Sequence, residues 1–426
     1  MSSVENSEQL LNSWKAAAEK NTETQRAIVA ETAEINQDKI LRIFREEKVS
    51  AFHFHASTGY GYDDAGRDTL DRVYAKVFGT EAAIVRHQFI SGTHAITAAL
   101  FGILRPGERL LYATGDPYDT LKTALGLTGR EKGTFLDYGI ETNTAPLDKN
   151  GEPDIEAILS RISPHTKVIA IQRSRGYDNR QSLSVAAIEE LIHKIKNFRR
   201  DLIIFVDNCY GEFVEQLEPG HAGADLIAGS LIKNPGGGLA RCGGYIAGRR
   251  ELVEQASSRF AAPGIGLEGA ATLGVLQEMF QGIFLAPHIV SQALQGAVFT
   301  AALLEKAGLK TSPSPHQFRT DLIQSVTFYD KERMVRFCQA IQEASPVDAN
   351  VVPQSSAMPG YGDEVIMAAG TFIQGSSIEL SADGPLRKPF TAYVQGGLTY
   401  AHVKIAVTHA LKTLLQHELL ESRENQ

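Results

Sequence analysis

Between about residues 80 and 290, short apolar runs alternate with longer stretches of helical period. The strand candidates are 82–86, 109–113, 135–138, 168–172, 202–206, 226–229 and 244–247. The helix candidates are 93–103, 118–125, 154–162, 184–197 and 251–256, several opening on a polar cap and stopping near Gly or Pro. Such alternation calls for crossover units, which predicts an α/β fold with a mostly parallel central sheet covered by helices. Ligands of such sheets bind beyond the carboxyl ends of the strands.

The flanks carry different patterns. Residues 7–47 keep helical period with charged faces and no Gly or Pro, predicting one or two helices in an N-terminal arm over 1–50. A long helical stretch at 267–307 leads from a large domain (51–290) into a smaller C-terminal α+β domain (291–426). There the pattern predicts strands at 325–329 and 376–380 and helices at 331–344 and 399–420. The Pro-, Ser- and Gly-rich segment 346–361 is expected to be a loop.

Composition narrows the possible partners. A 426-residue chain suits one large domain plus a smaller one. Its net charge of −8, with no large basic block, gives no support to a nucleic-acid partner. Three cysteines (Cys209, Cys242 and Cys338) without metal spacing suit a reducing compartment. No apolar run of about 20 residues appears, and the N-terminus lacks a basic region followed by an apolar core. The expectation is a cytoplasmic protein with no membrane partner.

Two charges then stand out. Lys233 ends the apolar run 226–232 and is followed by glycines, while Asp207 ends the run 202–206. Desolvation at such a place would lower a lysine pKa, as in Schiff-base lysines. A carboxylate at the neighbouring strand end could keep a pyridinium nitrogen protonated, so the pair points to pyridoxal 5'-phosphate (PLP).

Other parts of a PLP site have candidates. Ser91-Gly92-Thr93 opens an apolar helix, where free amides and the helix dipole bind phosphate, although the same residues also make an ordinary N-cap. Tyr118 follows the strand candidate 109–113 and could stack on a ring, and Ser230 precedes Lys233 by three residues. Cys209 lies near Asp207 in sequence, with a structural thiol as the alternative. His53, His55, His87 and His94 lack metal-ligand spacing, so no metal is expected.

The ordered series Tyr60-Gly61-Tyr62, Ser91-Gly92-Thr93, Asp116-Pro117-Tyr118, Val206-Asp207-Asn208 and Ser230–Lys233 resembles the cystathionine-lyase/methionine-γ-lyase family of fold-type I PLP enzymes. It is most similar to the divergent aluminium-resistance branch, through residues 54–62, 172–177, 262–266 and 395–400. The resemblance spans roughly residues 50–410 and implies an aspartate-aminotransferase-like fold. It makes Lys233 the Schiff-base lysine, Asp207 the partner of the ring nitrogen and Tyr118 the stacking and proton-transferring tyrosine. Ser91, Gly92, Thr93 and Ser230 become phosphate ligands. Tyr60 or Tyr62 would reach the neighbouring subunit's phosphate, implying a homodimer or homotetramer with shared active sites.

Three departures accompany the resemblance. The family's arginine two positions after the tyrosine is absent here, with Arg67 the nearest downstream. Ile232 replaces the usual threonine before the lysine. No familiar arginine motif for the substrate carboxylate is evident, which leaves Arg387, Arg173 and Arg175 as candidates or as surface ion pairs. The implied activity is a PLP-dependent carbon–sulfur lyase, with β- or γ-elimination on a cystathionine-, cysteine- or methionine-like amino acid. An aminotransferase and a non-catalytic PLP-binding protein are the alternatives. No glycine-rich dinucleotide fingerprint opens a strand–helix turn in the first half, and no P-loop is present.

Overall fold

The computed structural model describes residues 3–129, 131–178, 180–358 and 362–420. Two helices come first, α1 (Ser3–Asn21) and α2 (Glu23–Glu46), followed by α3 (Ala65–Val77). The alternating region then runs β1 (Ala82–Arg86), α4 (Gly92–Ile103), β2 (Arg109–Tyr112), α5 (Asp119–Leu125), β3 (Glu141–Thr144), α6 (Ile155–Arg161) and β4 (Thr166–Gln172). It continues through α7 (Val185–Phe198), β5 (Ile203–Asp207), β6 (Leu226–Ser230), β7 (Gly244–Gly248), α8 (Arg250–Phe260) and α9 (Leu276–Lys306). The remainder holds β8 (Lys310–Ser312), β9 (Gln324–Thr327), α10 (Lys331–Glu343), β10 (Val365–Ala368), β11 (Ser381–Pro385), β12 (Thr391–Gln395) and α11 (Tyr400–Gln416).

The chain divides into two compact units. One joins residues 1–34 to 287–426, and the other is 35–286. The expected arm 1–50 therefore splits, α1 going to the first unit and the end of α2 to the second.

In the 35–286 unit, seven strands form one sheet in the order β1-β7-β6-β5-β4-β2-β3. The pairs β6–β5, β5–β4, β4–β2 and β2–β3 are parallel, while β7 runs antiparallel to both neighbours. Strands β1, β5, β6 and β7 are buried along their whole length, which is why their sequences read as unbroken apolar runs. Local chemistry sets the helix starts: Ser91, Asp154 and Ser184 each accept an amide hydrogen bond from the first turn of α4, α6 and α7. Each such cap is worth about 1 kcal/mol.

One expectation fails, and two elements were not anticipated. Residues 135–138 are not a strand: a 3-10 turn spans Leu136–Tyr138, closed by Gly139 at φ 71°. The aromatic run looks strand-like because Phe135 is needed for packing, stacked on Phe101 at 3.7 Å. Strand β3, whose sequence is wholly polar, carries no pattern that marks it, while α3 carries a helical spacing of buried residues, Leu70, Val73, Tyr74 and Val77, that the predicted elements omit.

The C-terminal unit holds an antiparallel sheet ordered β10-β11-β12-β9-β8. Its apolar face (Val326, Ala382, Ala392 and Val394) shares a core with Phe337, Ile341 and Leu411. The predicted strand at 376–380 is displaced to Ser381–Pro385. Residues 359–361 of the expected loop lie outside the described residues. Helix α9 is long and apolar enough by composition to cross a membrane, but 67% of its most apolar window is buried, as in a core helix.

Candidate active site

The carboxyl ends of β4, β5 and β6 lie side by side. Gln172 pairs with Asp207, and Asp207 with Ala228, two residues before Ser230 closes β6. Asp207 is buried, and its Oδ1 accepts the Cys209 amide at 3.1 Å. Burial raises its pKa, while Lys233, Cys209 and Arg180 pull it down. Lys233 sits three residues beyond β6, at the entry to a 3-10 turn (Asn234–Gly236), with its Nζ 4.0 Å from the Tyr210 ring centroid.

Burial acts to lower the Lys233 pKa, yet Cys209, Tyr210, Asp207 and Tyr118 outweigh it and the pKa is raised. The depressed lysine expected from its apolar run is thus reversed. Cys209 and Tyr118 are themselves pushed up by burial.

Tyr118 precedes α5 and spans two elements. Its hydroxyl meets Thr93 Oγ1 at 2.9 Å, and its amide donates to Gln172 Oε1 at 3.1 Å. A phenol with a raised pKa keeps its proton at neutral pH, which suits a proton donor. Thr93 belongs to the first turn of α4, whose start is pressed against β6. A Cβ on Gly92 would lie 3.1 Å from Ser230 Cβ and 3.7 Å from Cys209 Sγ. The Ser91 hydroxyl accepts the His94 amide at 3.0 Å, so the capping role holds it in place. Ser230 Oγ is buried and has no hydrogen-bond partner among the described residues. Such an atom beside the start of a 12-residue helix fits a phosphate, which the dipole and first-turn amides also favour.

Other predicted residues sit elsewhere. Tyr60 and Tyr62 are exposed and stacked on each other, with centroids 5.3 Å apart and planes at 11°. Their loop is rigidly braced: buried Arg67 donates to Gly61, Gly269 and Ala270 carbonyls and pairs with Asp68. Gly61 (φ 64°) has no room for a Cβ, which would meet Ala271 at 2.7 Å.

Arg173 is not available to a substrate. It is fully buried and committed to Asn208 at 2.8 Å, Glu215 at 2.8 Å and Glu218 at 3.4 Å. Arg175 is buried, its Nε donating to Asp178 O at 3.2 Å. Arg387, in the C-terminal unit, is half exposed and pairs with Asp363 at 3.1 Å. Among the histidines, His53 caps Ser50, His55 meets the Phe52 ring, and burial lowers the pKa of His87 and His94. No group of three metal-ligating side chains occurs among the described residues.

Several neighbours of the site had no sequence signal. Arg180 is buried, bonds to the Gln172 carbonyl at 2.9 Å, and its charge reaches Asp207. Glu212 is buried, accepts from Tyr245 at 2.9 Å and has a pKa raised to about 8 by burial. Their positions depend on turns whose path no periodicity reports. A tyrosine and a glutamate shortly after Asp207 could have been flagged by proximity alone.

Known proteins place this arrangement in context. The family profile described as methionine γ-lyase matches residues 11–415. A Bacillus subtilis protein, the uncharacterized YnbB, is 59% identical over 92% of this chain and 93% of its own length. A Listeria monocytogenes crystal structure, provisionally described as a cystathionine β-lyase involved in aluminium resistance, superposes with a TM-score of 0.93 at 57% identity, covering 94% of this chain and 99% of that one. More distantly, at 17% identity and a TM-score of 0.57, the fold matches a Campylobacter jejuni structure provisionally described as an O-acetylhomoserine (thiol)-lyase, over 82% of this chain and 88% of that one. That structure contains N'-pyridoxyl-lysine-5'-monophosphate. The sheet, the smaller antiparallel unit and these likenesses identify the fold-type I architecture, and the chain belongs to the methionine γ-lyase family.

Proposed function

We propose that this chain is a PLP-dependent carbon–sulfur lyase that eliminates a sulfur leaving group from Cβ or Cγ of a cystathionine-, cysteine- or methionine-like amino acid. The observation that carries the reading is the meeting of Lys233, Asp207, Tyr118 and Ser230 around the carboxyl ends of β5 and β6, in a chain of this family. When bound, PLP supplies an electron sink for negative charge developing at the substrate Cα.

The chain's residues would divide the remaining work. Lys233 would hold the cofactor through Nζ and, once displaced by the substrate amine, take the Cα proton. Asp207 would face the ring nitrogen, its buried carboxylate being stabilised by a nearby cation. Tyr118, protonated at neutral pH, would donate to the departing sulfur. Phosphate would take the first-turn amides of Gly92 and Thr93 and the Ser230 hydroxyl, with Ser91 holding the helix start. Arg175 and Arg387 remain candidates for the substrate carboxylate. The exposed Tyr60–Tyr62 pair on its braced loop supports a site shared between subunits of a homodimer or homotetramer.

The test is a spectral screen of the purified protein against sulfur amino acids, with detection of ammonia, keto acid and thiol. Release of all three supports elimination. Amine transfer to an added keto acid without free ammonia would make the protein an aminotransferase, and no spectral response to any amino acid would make it a binding protein.

A further inference from the structure

Tyr210 lies in the turn that leaves β5 and has a φ of 70°, a left-handed conformation that bulky side chains rarely adopt. Phe213, in the same turn, has a φ of 63°. The surroundings impose this path. A Cβ at Gly211 would lie 2.5 Å from the Arg173 side chain, and the Phe213 amide donates to Glu218 at 2.7 Å. Asn234, next to Lys233, ties its own turn to the Glu212 carbonyl at 2.9 Å. Strain of this kind persists only where neighbouring structure over-determines it, and it gathers at functional sites. Its result here is placement: the Tyr210 ring centroid is 4.0 Å from Lys233 Nζ, within cation–π range.

We infer that Tyr210 is a positioning residue for Lys233, a seat in which its ring face holds the lysine whenever the nitrogen is free and charged. The inference rests on the reading of Lys233 as the cofactor lysine. To capture an aldehyde, the neutral amine adds to the carbonyl carbon and the oxygen departs as water. When an amino-acid amine takes over that carbon, Lys233 leaves as a free amine, accepts a proton at Nζ and becomes an ammonium. A ring face that favours the ammonium assists proton acceptance and restrains premature recapture. The groups facing Nζ are Asp207 at the end of β5, Cys209 and Tyr210 in the turn, and Tyr118 before α5, with Glu212 also within electrostatic reach. Of these, Tyr210 is the one that presents a ring face in contact with the nitrogen.

The experiment compares full-length wild type with Tyr210→Phe, Tyr210→Leu and Tyr210→Gly, glycine being free to adopt a positive φ if the leucine variant does not fold. Two rates are followed against pH: uptake of PLP by the stripped protein, and reductive methylation of Lys233 with formaldehyde, mapped by mass spectrometry. Wild type and Tyr210→Phe are expected to share a midpoint. The Leu and Gly variants should shift it down by roughly 0.5–1.5 pH units, the size of one cation–π contact. Equal midpoints in all four proteins would overturn the inference, as would a Phe variant that shifts as far as Leu. A methylation shift without any PLP uptake would uphold Tyr210 and refute the cofactor reading instead.

Discussion

Two polar groups of very different character flank the turn between β5 and β6. On one side Arg173, Glu215, Glu218 and Asn208 bond mainly to one another, although Arg173 Nε has no hydrogen-bond partner among the described residues. Arg173 bonds to the other three, Glu218 also accepts from the Phe213 amide and the Asn208 side chain, and Glu215 accepts the Val185 amide. On the other side stand Lys233, Asp207, Ser230 and Tyr118. Ser230 Oγ has no partner among the described residues, and burial pushes the Asp207, Cys209 and Tyr118 pKa values up. The first set spends its hydrogen bonds on holding the turn, while the second leaves Ser230 Oγ unbonded beside the start of α4. Burial of charge alone therefore does not mark a functional site, and neither does one unpartnered polar atom, since both sides have both; what separates them is that Arg173 is ion-paired to Glu215 and Glu218, whereas Lys233 meets a ring face.

That contrast can be broken most forcefully at Arg173. Arg173→Met leaves Glu218 buried with a lost cation and should destabilise the protein by about 3–5 kcal/mol in chemical denaturation. Cofactor affinity of the molecules that still fold should change little. A stable Arg173→Met protein that fails to bind cofactor would instead move Arg173 into the site.

Arg173 also shows how far sequence reading reaches. Its place at the end of β4 was legible, and so were Asp207 and Lys233, because a charge ending an apolar run is visible without coordinates. Whether such a charge points toward the ligand or into a buried ion pair depends on the path of the 207–218 turn. Tyr210 and Phe213 follow that path in backbone conformations their residue types do not predict. The same limit applies to the fold. Buried strands such as β5 and β7 announce themselves, while the polar β3 is held by pairing with β2 and has no signal of its own. The ring-stacking Phe135 was mistaken for a strand residue for the converse reason, an apolar side chain serving a turn.

A subtler break of the contrast is at Glu212, which lies between the two sides with one oxygen bonded to Tyr245 and the other unpartnered among the described residues. Its pKa is raised from the model-peptide carboxyl range to about 8 by burial. A raised folded-state pKa means that its contribution to stability is present below the unfolded pKa and is lost as pH rises through about 8. Wild type should therefore lose stability across this window, and Glu212→Gln should show a shallower pH dependence in thermal unfolding. A slope unchanged by the substitution would show that Glu212 is already ionised when folded.

The smallest expected effect is at Ser230. Ser230→Ala removes a buried hydroxyl that has no hydrogen-bond partner among the described residues, so stability should hold or rise by up to about 1 kcal/mol. Affinity for PLP should nevertheless fall roughly tenfold, the loss expected for one hydrogen bond to a charged group. Equilibrium titration alongside denaturation separates the two. A loss of stability without a loss of affinity would place Ser230 with the Arg173 set.

The central claim is that Lys233 carries the cofactor. Purified protein should show the visible absorbance of lysine-bound PLP, and borohydride reduction followed by peptide mass mapping should put the pyridoxyl group on Lys233. Lys233→Ala should fold and lose both signals. A visible band that survives in Lys233→Ala, or a pyridoxyl group mapped to another lysine, would contradict the account.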